Sequence, residues 1–263
     1  MCSRFLSLSS FLFLAVLPCV AEGATTFRVC ADPNNMPFSN EAGQGFENKL
    51  AELIAAKLGA KLEYIWWSQR KSFIKNSLDE GKCDALMGVP SALDSVSVTR
   101  PYYRSTYVFV SRRDRNLHIT SLTDERLSQL RIGIHIVGDD YAPPAFALSR
   151  RGITQNVVGF SLFGEYGEAN PSRKPVDAVD RGEVDVAIVW GPIAGYFSQM
   201  AKSPLDIEPV SPPTFLGVPF TYDMSIGVHK GNEALKKILD DALQSESAVL
   251  REILLQYGVP QVH

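Results

Sequence analysis

The sequence has no surplus of basic residues, which argues against a nucleic-acid partner. It carries 26 lysines and arginines against 29 aspartates and glutamates, a formal net charge of −3 at pH 7. Proteins that bind nucleic acids usually need a basic face to neutralise phosphates. Long apolar runs are also absent beyond residue 24, and no later segment approaches the roughly 20 apolar residues that span a bilayer. We therefore expect no membrane insertion of the chain once its first residues are removed.

Metal-binding and catalytic signatures are missing as well. The four histidines show no ligand-like spacing with Cys30 or Cys83: His118, His135, His229 and His263. Residues 43–48 begin like a dinucleotide fingerprint, but Asn48 stands where the third glycine would be. No nucleophile elbow is present, and spacing fixes no acid–base pair, so Glu47 is expected to be a solvated surface residue. The sequence predicts no metal, no cofactor and no enzyme.

The first 24 residues have the pattern of a secretory signal peptide. Arg4 supplies a positive charge, Phe11–Leu17 forms a short apolar stretch, and the small residues Ala21 and Ala24 follow. The apolar stretch is too short to span a membrane. We predict that residues 1–24 are cleaved and that the rest of the chain is exported.

The exported part keeps two cysteines, Cys30 and Cys83. An even pair in an exported protein favours a disulfide. The alternative is two buried free thiols. A bridge between them would staple one part of the fold and would not join two lobes.

Strand-like and helix-like segments alternate along the chain in two units. The predicted strands of the first unit are Phe27–Ala31, Leu62–Trp66 and Cys83–Val89, and those of the second are Arg131–Ile136, Val157–Phe160 and Val184–Trp190. Helical spacing of apolar residues fills most of the gaps. Such alternation predicts an α/β fold with mostly parallel sheets flanked by helices.

A short signature occurs in both units. Gly81 and Gly182 are each followed three positions later by an aspartate, Asp84 or Asp185, and then by an apolar strand. A glycine suits the left-handed conformation that ends a helix. The repetition indicates two lobes of similar construction.

Two strand-like runs leave the two units, Thr106–Arg112 and Tyr222–Val228. Two crossings allow the last helices to return to the first lobe, and paired strands form a hinge. We predict that residues 25–110 and 223–263 form the first lobe and residues 111–222 the second. A cleft between such lobes is a common ligand site.

Three segments resemble the motifs of type II periplasmic binding proteins. Phe46–Ala51 is similar to their G-F-D-I-D-L-A helix start, Leu78–Asp84 to L-x-x-G-K-x-D, and Thr99–Tyr103 to F-S-x-P-Y. The resemblance follows the same order over nearly the whole exported chain. It implies the type II periplasmic binding protein fold, with two lobes and a two-strand hinge, and a location in the periplasm.

A narrower resemblance is carried by residues 29–35, 45–48, 66–70 and 100–109. These look like the quinoprotein-dehydrogenase-associated branch, the MxaJ/XoxJ type, and Asp32-Pro33-Asn34-Asn35 is nearer the XoxJ side. The resemblance implies an accessory protein that engages a PQQ-dependent alcohol or methanol dehydrogenase, of the lanthanide type. A cytochrome c of the same system is a second partner that it suggests.

The chain departs from the amino-acid-binding members of the wider family. They usually place an arginine after the third strand to clamp the ligand carboxylate, and residues 89–94 contain none. They also place an aspartate near the end of a second-lobe strand, where Trp190 stands here. A free amino acid would therefore meet no charged partner. The alternative function that stays open is capture of another small solute for an ABC transporter.

Ten residues are candidates for the recognition surface of the cleft. The loop after the first strand faces the crevice in open α/β sheets, although a Pro/Asn turn would look the same. Trp66 and Trp67 should point to opposite faces of a strand, with one in the core, and Tyr102 and Tyr103 raise the same choice. The candidates are Asp32, Asn34, Asn35, Phe38, Trp67, Gln69, Tyr102, Tyr103, Trp190 and Tyr222.

Overall fold

The computed structural model describes residues 25–70, 72–137, 142–164 and 167–262. The predicted signal peptide, residues 1–24, lies outside these ranges. The strands are β1 (Thr26–Ala31), β2 (Asn34–Asn35), β3 (Ser39–Asn40), β4 (Lys61–Trp66), β5 (Ala85–Pro90), β6 (Ser97–Val98), β7 (Tyr103–Arg112), β8 (Ile132–Ile136), β9 (Val157–Ser161), β10 (Val186–Trp190), β11 (Leu205–Pro209), β12 (Thr214–Phe215), β13 (Val218–Pro219) and β14 (Thr221–Val228). The helices are α1 (Phe46–Lys57), α2 (Phe73–Asn76), α3 (Pro143–Arg150), α4 (Lys174–Asp180), α5 (Gly191–Ser198), α6 (Glu233–Ser245) and α7 (Ser247–Gln256), and short 3-10 turns occupy Arg113–Arg115, Glu125–Ser128 and Pro171–Arg173.

Two sheets form two lobes that share one long strand. In the first lobe β1 lies between β4 and β5, parallel to both, and β14 runs antiparallel to β5. In the second lobe β8 lies between β10 and β9, again parallel to both. Strand β7 pairs antiparallel with β14 over Tyr103–Met224 to Thr106–Thr221, and then with β10 and β11 over its second half. The six strands that the apolar runs predict are present in this mixed α/β arrangement.

Helix α1 covers the first sheet because its apolar residues recur at helical spacing. Phe46, Leu50, Ala51 and Ile54 are buried on one face. The side chain of Asn48 accepts the Gly45 N–H at 3.0 Å and caps the first turn. Helices α6 and α7 add to the same core, so the end of the chain packs on the first lobe.

The repeated Gly-x-x-Asp signature performs one task in both lobes. Asp84 accepts the backbone N–H of Arg28 at 2.8 Å and its guanidinium at 2.6 Å. Asp185 accepts the backbone N–H of Arg131 and its guanidinium, both at 2.9 Å. Each arginine lies at the start of the first strand of its lobe and also reaches the carbonyl of the signature glycine. The signature thus produces a charge-assisted fork that joins two parallel strands at their amino ends.

Cys30 and Cys83 form a disulfide with their Cα atoms 5.5 Å apart. This confirms the predicted pairing and excludes the two free thiols. The bridge joins β1 to the residues before β5 and packs in a small cluster with Leu78 and Leu86. It therefore lies within the first lobe. Among the residues described, no helix is long and apolar enough to cross a membrane.

We predict that Asp185→Asn lowers the free energy of unfolding by about 1–2 kcal/mol, because the second-lobe fork loses its charge. The hydrogen bond from Arg131 lowers the pKa of Asp185 to about 2. This stabilisation is therefore present above the ordinary aspartate pKa and is lost as the pH falls toward 2.

Urea unfolding measures this effect, and Asp114→Asn is the matched control. Asp114 pairs with Arg112 on the surface, so its loss should leave the free energy of unfolding nearly unchanged. Equal effects of the two substitutions would contradict the stabilising role of the fork.

Candidate functional site

A cleft of about 500 Å³ lies between the lobes, at the carboxyl ends of the parallel strands. Half of the ten candidate residues line it: Asn35, Phe38, Gln69, Trp190 and Tyr222. The lining is mostly apolar and aromatic, and no lysine or arginine of the described chain belongs to it. The lining itself therefore holds no fixed positive charge, and Arg70 lies outside it, 5.9 Å from the ring centroid of Phe163.

Trp190 is the centre of the aromatic wall. It is the last residue of β10, and its ring lies 5.4 Å from that of Tyr107 and 5.8 Å from that of Tyr222. Both pairs are edge-to-face, which is a favoured geometry for aromatic rings. The wall joins residues of β10, β7 and β14, so both lobes contribute to it.

A carboxyl group lies in the cleft, which contradicts the expectation from the sequence. Glu47, in the first turn of α1, lines the cleft and is half-buried, with its carboxyl group enclosed by neighbouring protein atoms. Burial raises its pKa to about 8, and a hydrogen bond from the Tyr102 hydroxyl at 3.4 Å opposes this only in part. The expectation of a surface residue is wrong because α1 starts at the sheet edge and directs this turn into the cleft.

Gly88 leaves the space that the Glu47 carboxyl occupies. A Cβ atom at Gly88 would lie 2.0 Å from Oε1 of Glu47, and the backbone of Gly88 has a φ of +64°. Both facts favour glycine at this point of β5. The strand and the carboxyl group therefore fit each other closely.

His135 lines the second-lobe side of the cleft. Its Nε2 lies 2.8 Å from the Ser172 carbonyl oxygen, and it is buried. Burial lowers the pKa of His135 to about 4. The imidazole is therefore neutral at neutral pH, and it donates one N–H to Ser172.

Asp32 shapes the loop after β1 and does not line the 500 Å³ cleft. It is buried, and its carboxylate accepts the N–H groups of Asn34 at 2.8 Å and Gln69 at 2.6 Å. Its carbonyl accepts the Ser39 hydroxyl at 2.8 Å. Asp32 and Asn34 instead line an adjoining depression beside residues 167–169.

The loop after β1 also ties the two lobes together. The Asn34 side chain donates to the Glu168 carbonyl at 2.6 Å and accepts the Asn170 N–H at 3.0 Å. Met36 is buried in the core of the second lobe, and its carbonyl accepts the Ser172 hydroxyl at 2.9 Å. A segment of the first lobe is thus anchored inside the second.

The remaining candidates take different positions. Tyr102 contacts Glu47 through its hydroxyl. Tyr103 is buried in the first-lobe core, with its ring 5.8 Å from Phe46. Trp67 is 41 % exposed under the Lys82 ammonium, outside the residues that line the cleft, and Trp66 stacks on Tyr64. A recognition role for the ten candidates stays a prediction.

The chain matches the bacterial extracellular solute-binding proteins, family 3, over residues 27–258. This span includes both lobes, the shared strand and the C-terminal helices. The chain is a member of this family.

Relatives that match along the whole fold carry names of the MxaJ/XoxJ type. Protein MoxJ of Methylorubrum extorquens is 30% identical over 250 residues, 90% of this chain and 82% of the relative. The crystal structure of periplasmic binding protein XoxJ from Methylobacterium extorquens AM1 is 32% identical and covers 90% of this chain and 100% of its own, with a TM-score of 0.75. That of MxaJ from Methlophaga aminisulfidivorans is 26% identical with the same coverage and a TM-score of 0.79. The family resemblance and the fold class are confirmed.

Sequence reasoning missed several residues that line the cleft of this solute-binding protein, among them Glu47, Gly88 and His135. A signal for Glu47 was available. It follows the first residue of the helix that the first strand leads into, and such helix starts lie at the ligand edge of a parallel sheet. Gly88 and His135 carry no comparable signal, because their neighbours in space are distant in sequence.

We predict that Glu47→Gln removes a pH-dependent loss of stability. The folded pKa of Glu47 is raised, so its contribution is complete below the ordinary pKa of 4.5 and is lost as the pH rises through about 8. Between about pH 6.5 and 9 the wild type should lose on the order of 1–2 kcal/mol relative to Glu47→Gln.

Thermal or urea unfolding at several pH values gives this difference. Measurements above about pH 6.5 avoid the titration of His135, whose effect appears at lower pH. Parallel pH profiles for the wild type and the variant would show that Glu47 is not buried in the folded chain.

Met36→Ala should lower the free energy of unfolding by about 2–4 kcal/mol, because it leaves a cavity in the second-lobe core. Met200→Ala is the control, since Met200 is 50% exposed. Hydrogen exchange should also become faster in residues 32–38. Unchanged exchange and stability would contradict the anchoring role of Met36.

Proposed function

We propose that this chain is a periplasmic accessory binding protein that interacts with a PQQ-dependent methanol or alcohol dehydrogenase of the lanthanide type. It assists the maturation or the activity of that enzyme and does not itself catalyse a reaction. The similarity to MoxJ, XoxJ and MxaJ along the whole chain supports this proposal. The Asp32-Pro33-Asn34-Asn35 segment supports the XoxJ side.

The observation that carries the proposal is the chemistry of the cleft. A zwitterionic amino acid needs a cation for its carboxylate, and no lysine or arginine of the described residues lines the cleft. Trp190 occupies the end of β10 and builds an aromatic wall with Tyr107 and Tyr222. Aromatic side chains are enriched at protein–protein contacts, where they supply much of the affinity. The cleft is therefore suited to a side chain or a short segment of a protein partner.

The proposal includes export and two lobes. Residues 1–24 act as a signal peptide that is removed on export to the periplasm. The Cys30–Cys83 disulfide suits that oxidising compartment. Residues 25–110 with 223–263 make up the first lobe and residues 111–222 the second, joined at β7 and β14.

Capture of a small solute for an ABC transporter is the second candidate function. The volume of the cleft, about 500 Å³, falls in the range of small-molecule sites and favours this candidate. In this case a defined small molecule would bind tightly and raise the melting temperature of the chain.

We expect the purified chain to bind its cognate dehydrogenase in a calorimetric titration, and Trp190→Ala to weaken binding by about tenfold or more. Removing the indole takes away the central ring of the cleft. Val249→Ala is the matched control, since Val249 is an exposed apolar residue of α7 on the first lobe. Circular dichroism of both variants checks that they fold.

The same titration with a cytochrome c of the system tests that protein as a second partner. Absence of binding to the dehydrogenase, together with tight binding of a small solute, would replace the proposal by the transport function. Equal affinities of Trp190→Ala and the wild type would place the partner surface outside the cleft.

A further inference from the structure

We propose that the cleft binds an alkylammonium group, with the Glu47 carboxylate as its counter-ion and the rings of Trp190 and Tyr222 as its walls. This inference deepens the proposed function. It rests on that function in one respect, that the cleft is the recognition site. It names the chemistry that the site takes, whether the ammonium belongs to a free amine or to a lysine side chain of a protein partner.

Glu47 faces the cleft, and no lysine, arginine or histidine of the described residues forms an ion pair with it. The carboxyl group accepts one hydrogen bond from the described residues, from the Tyr102 hydroxyl at 3.4 Å, a long contact. A buried carboxylate without a partner is unfavourable, and an arriving cation relieves that cost. The cleft therefore favours a positively charged occupant over a neutral one of the same shape.

The Glu47 carboxyl group occupies a space that the neighbouring backbone leaves open for it. Gly88 lies so close to Glu47 that a side chain there would collide with Oε1, as described above. The backbone of α1 fixes the same turn, since the Glu47 N–H donates to the Phe38 carbonyl at 2.9 Å. The carboxyl is thus held at a defined place on the cleft wall.

The other walls of the cavity suit an organic cation. Trp190 presents the indole, the best cation–π partner among side chains, and Tyr222 lies against it at 5.8 Å. Phe38 adds a further ring to the same lining. Aromatic rings that line the same cavity as a carboxylate suit alkylated ammonium groups, because the ring faces attract a cation.

No positive charge lies in the described lining, and Arg70 packs on the Phe163 ring at 5.9 Å from outside this lining. Lysine and arginine are absent from it, and His135 is neutral because burial lowers its pKa to about 4. A carboxylate ligand would face Glu47 with no compensating charge. The cleft therefore discriminates by the sign of the charge.

Phenols are the titratable groups that face Glu47 from the neighbouring elements. Tyr102 and Tyr103 approach from the start of β7 and Tyr64 from β4, and burial raises the pKa of each. Glu52, further along α1, pairs with Lys49 at the surface. Between about pH 6 and 9 the group of this set that titrates is Glu47, whose pKa is about 8. Binding of a cation near neutral pH should therefore release a proton from it.

Calorimetric titration of the full exported chain with n-butylammonium, n-butanol and butyrate tests the proposal. We expect n-butylammonium to bind at least about tenfold more tightly than n-butanol above about pH 8, and butyrate not to bind. The affinity for the cation should rise by up to about tenfold per pH unit below pH 8 and then level off. Tetraethylammonium should show the same dependence on pH. This cation has no proton to lose, so its pH dependence reports the titration of the protein and not of the ligand.

Glu47→Gln is the matched variant, and it should lose at least about tenfold in affinity for n-butylammonium at high pH while keeping its affinity for n-butanol. Glu52→Gln, an exposed carboxylate on the same helix, should bind like the wild type. A further test measures proton release by the wild type and requires no variant. Titrations in buffers of different ionisation enthalpy should give about one proton per bound cation near pH 7.

The source of the ammonium is separated by a second probe, N-acetyl-lysine methylamide. Tighter binding of this probe than of n-butylammonium indicates a lysine side chain of a partner, and weaker binding indicates a free amine. Equal binding of n-butylammonium and n-butanol, no binding of either, or no proton release would overturn the inference. These outcomes are independent of dehydrogenase binding, which the earlier titration measures.

Discussion

One strand, β7, belongs to both sheets, and its register determines which side chains meet in the cleft. Its residues Ser105 and Tyr107 lie opposite Tyr222 of β14 and Trp190 of β10. Ser105 and Tyr107 are two positions apart and therefore share a face of the strand, which brings the rings from the two lobes together. A slip of one residue in either pairing would turn these rings to the opposite face.

The lobes are held together at more places than the shared strand β7. Met36 is anchored in the second-lobe core, and Asn34 bonds to the backbone at residues 168 and 170. On the other side the Tyr257 ring stacks on Tyr196 at 5.6 Å. Opening the lobes would break all of these contacts. The cleft is therefore largely pre-formed, and a pre-formed site spends less binding free energy on rearrangement.

Local patterns in the sequence predicted the six parallel strands of the two lobes, because apolar runs and glycine stops depend on near neighbours. The Cys30–Cys83 pairing was predictable because the exported part of the chain keeps an even pair of cysteines. The environment of Glu47 was not, because it depends on Gly88, which lies 41 positions away in the sequence and packs against it only in the folded sheet. The same holds for Met36, since nothing near it in the sequence indicates that it is buried in the other lobe. The cleft was thus predictable as a place between lobes, but its charge was not.

The two Arg–Asp forks lie at the amino ends of the parallel strands, and the cleft lies at their carboxyl ends. Asp84 directly precedes β5, whose fourth residue is Gly88, and Asp185 directly precedes β10, whose last residue is Trp190. Substitutions that are far apart and share no partners have nearly additive effects on stability. Single substitutions in the cleft can therefore change the ligand during evolution while the forks keep each sheet assembled. A designer could exchange the cleft residues for the same reason.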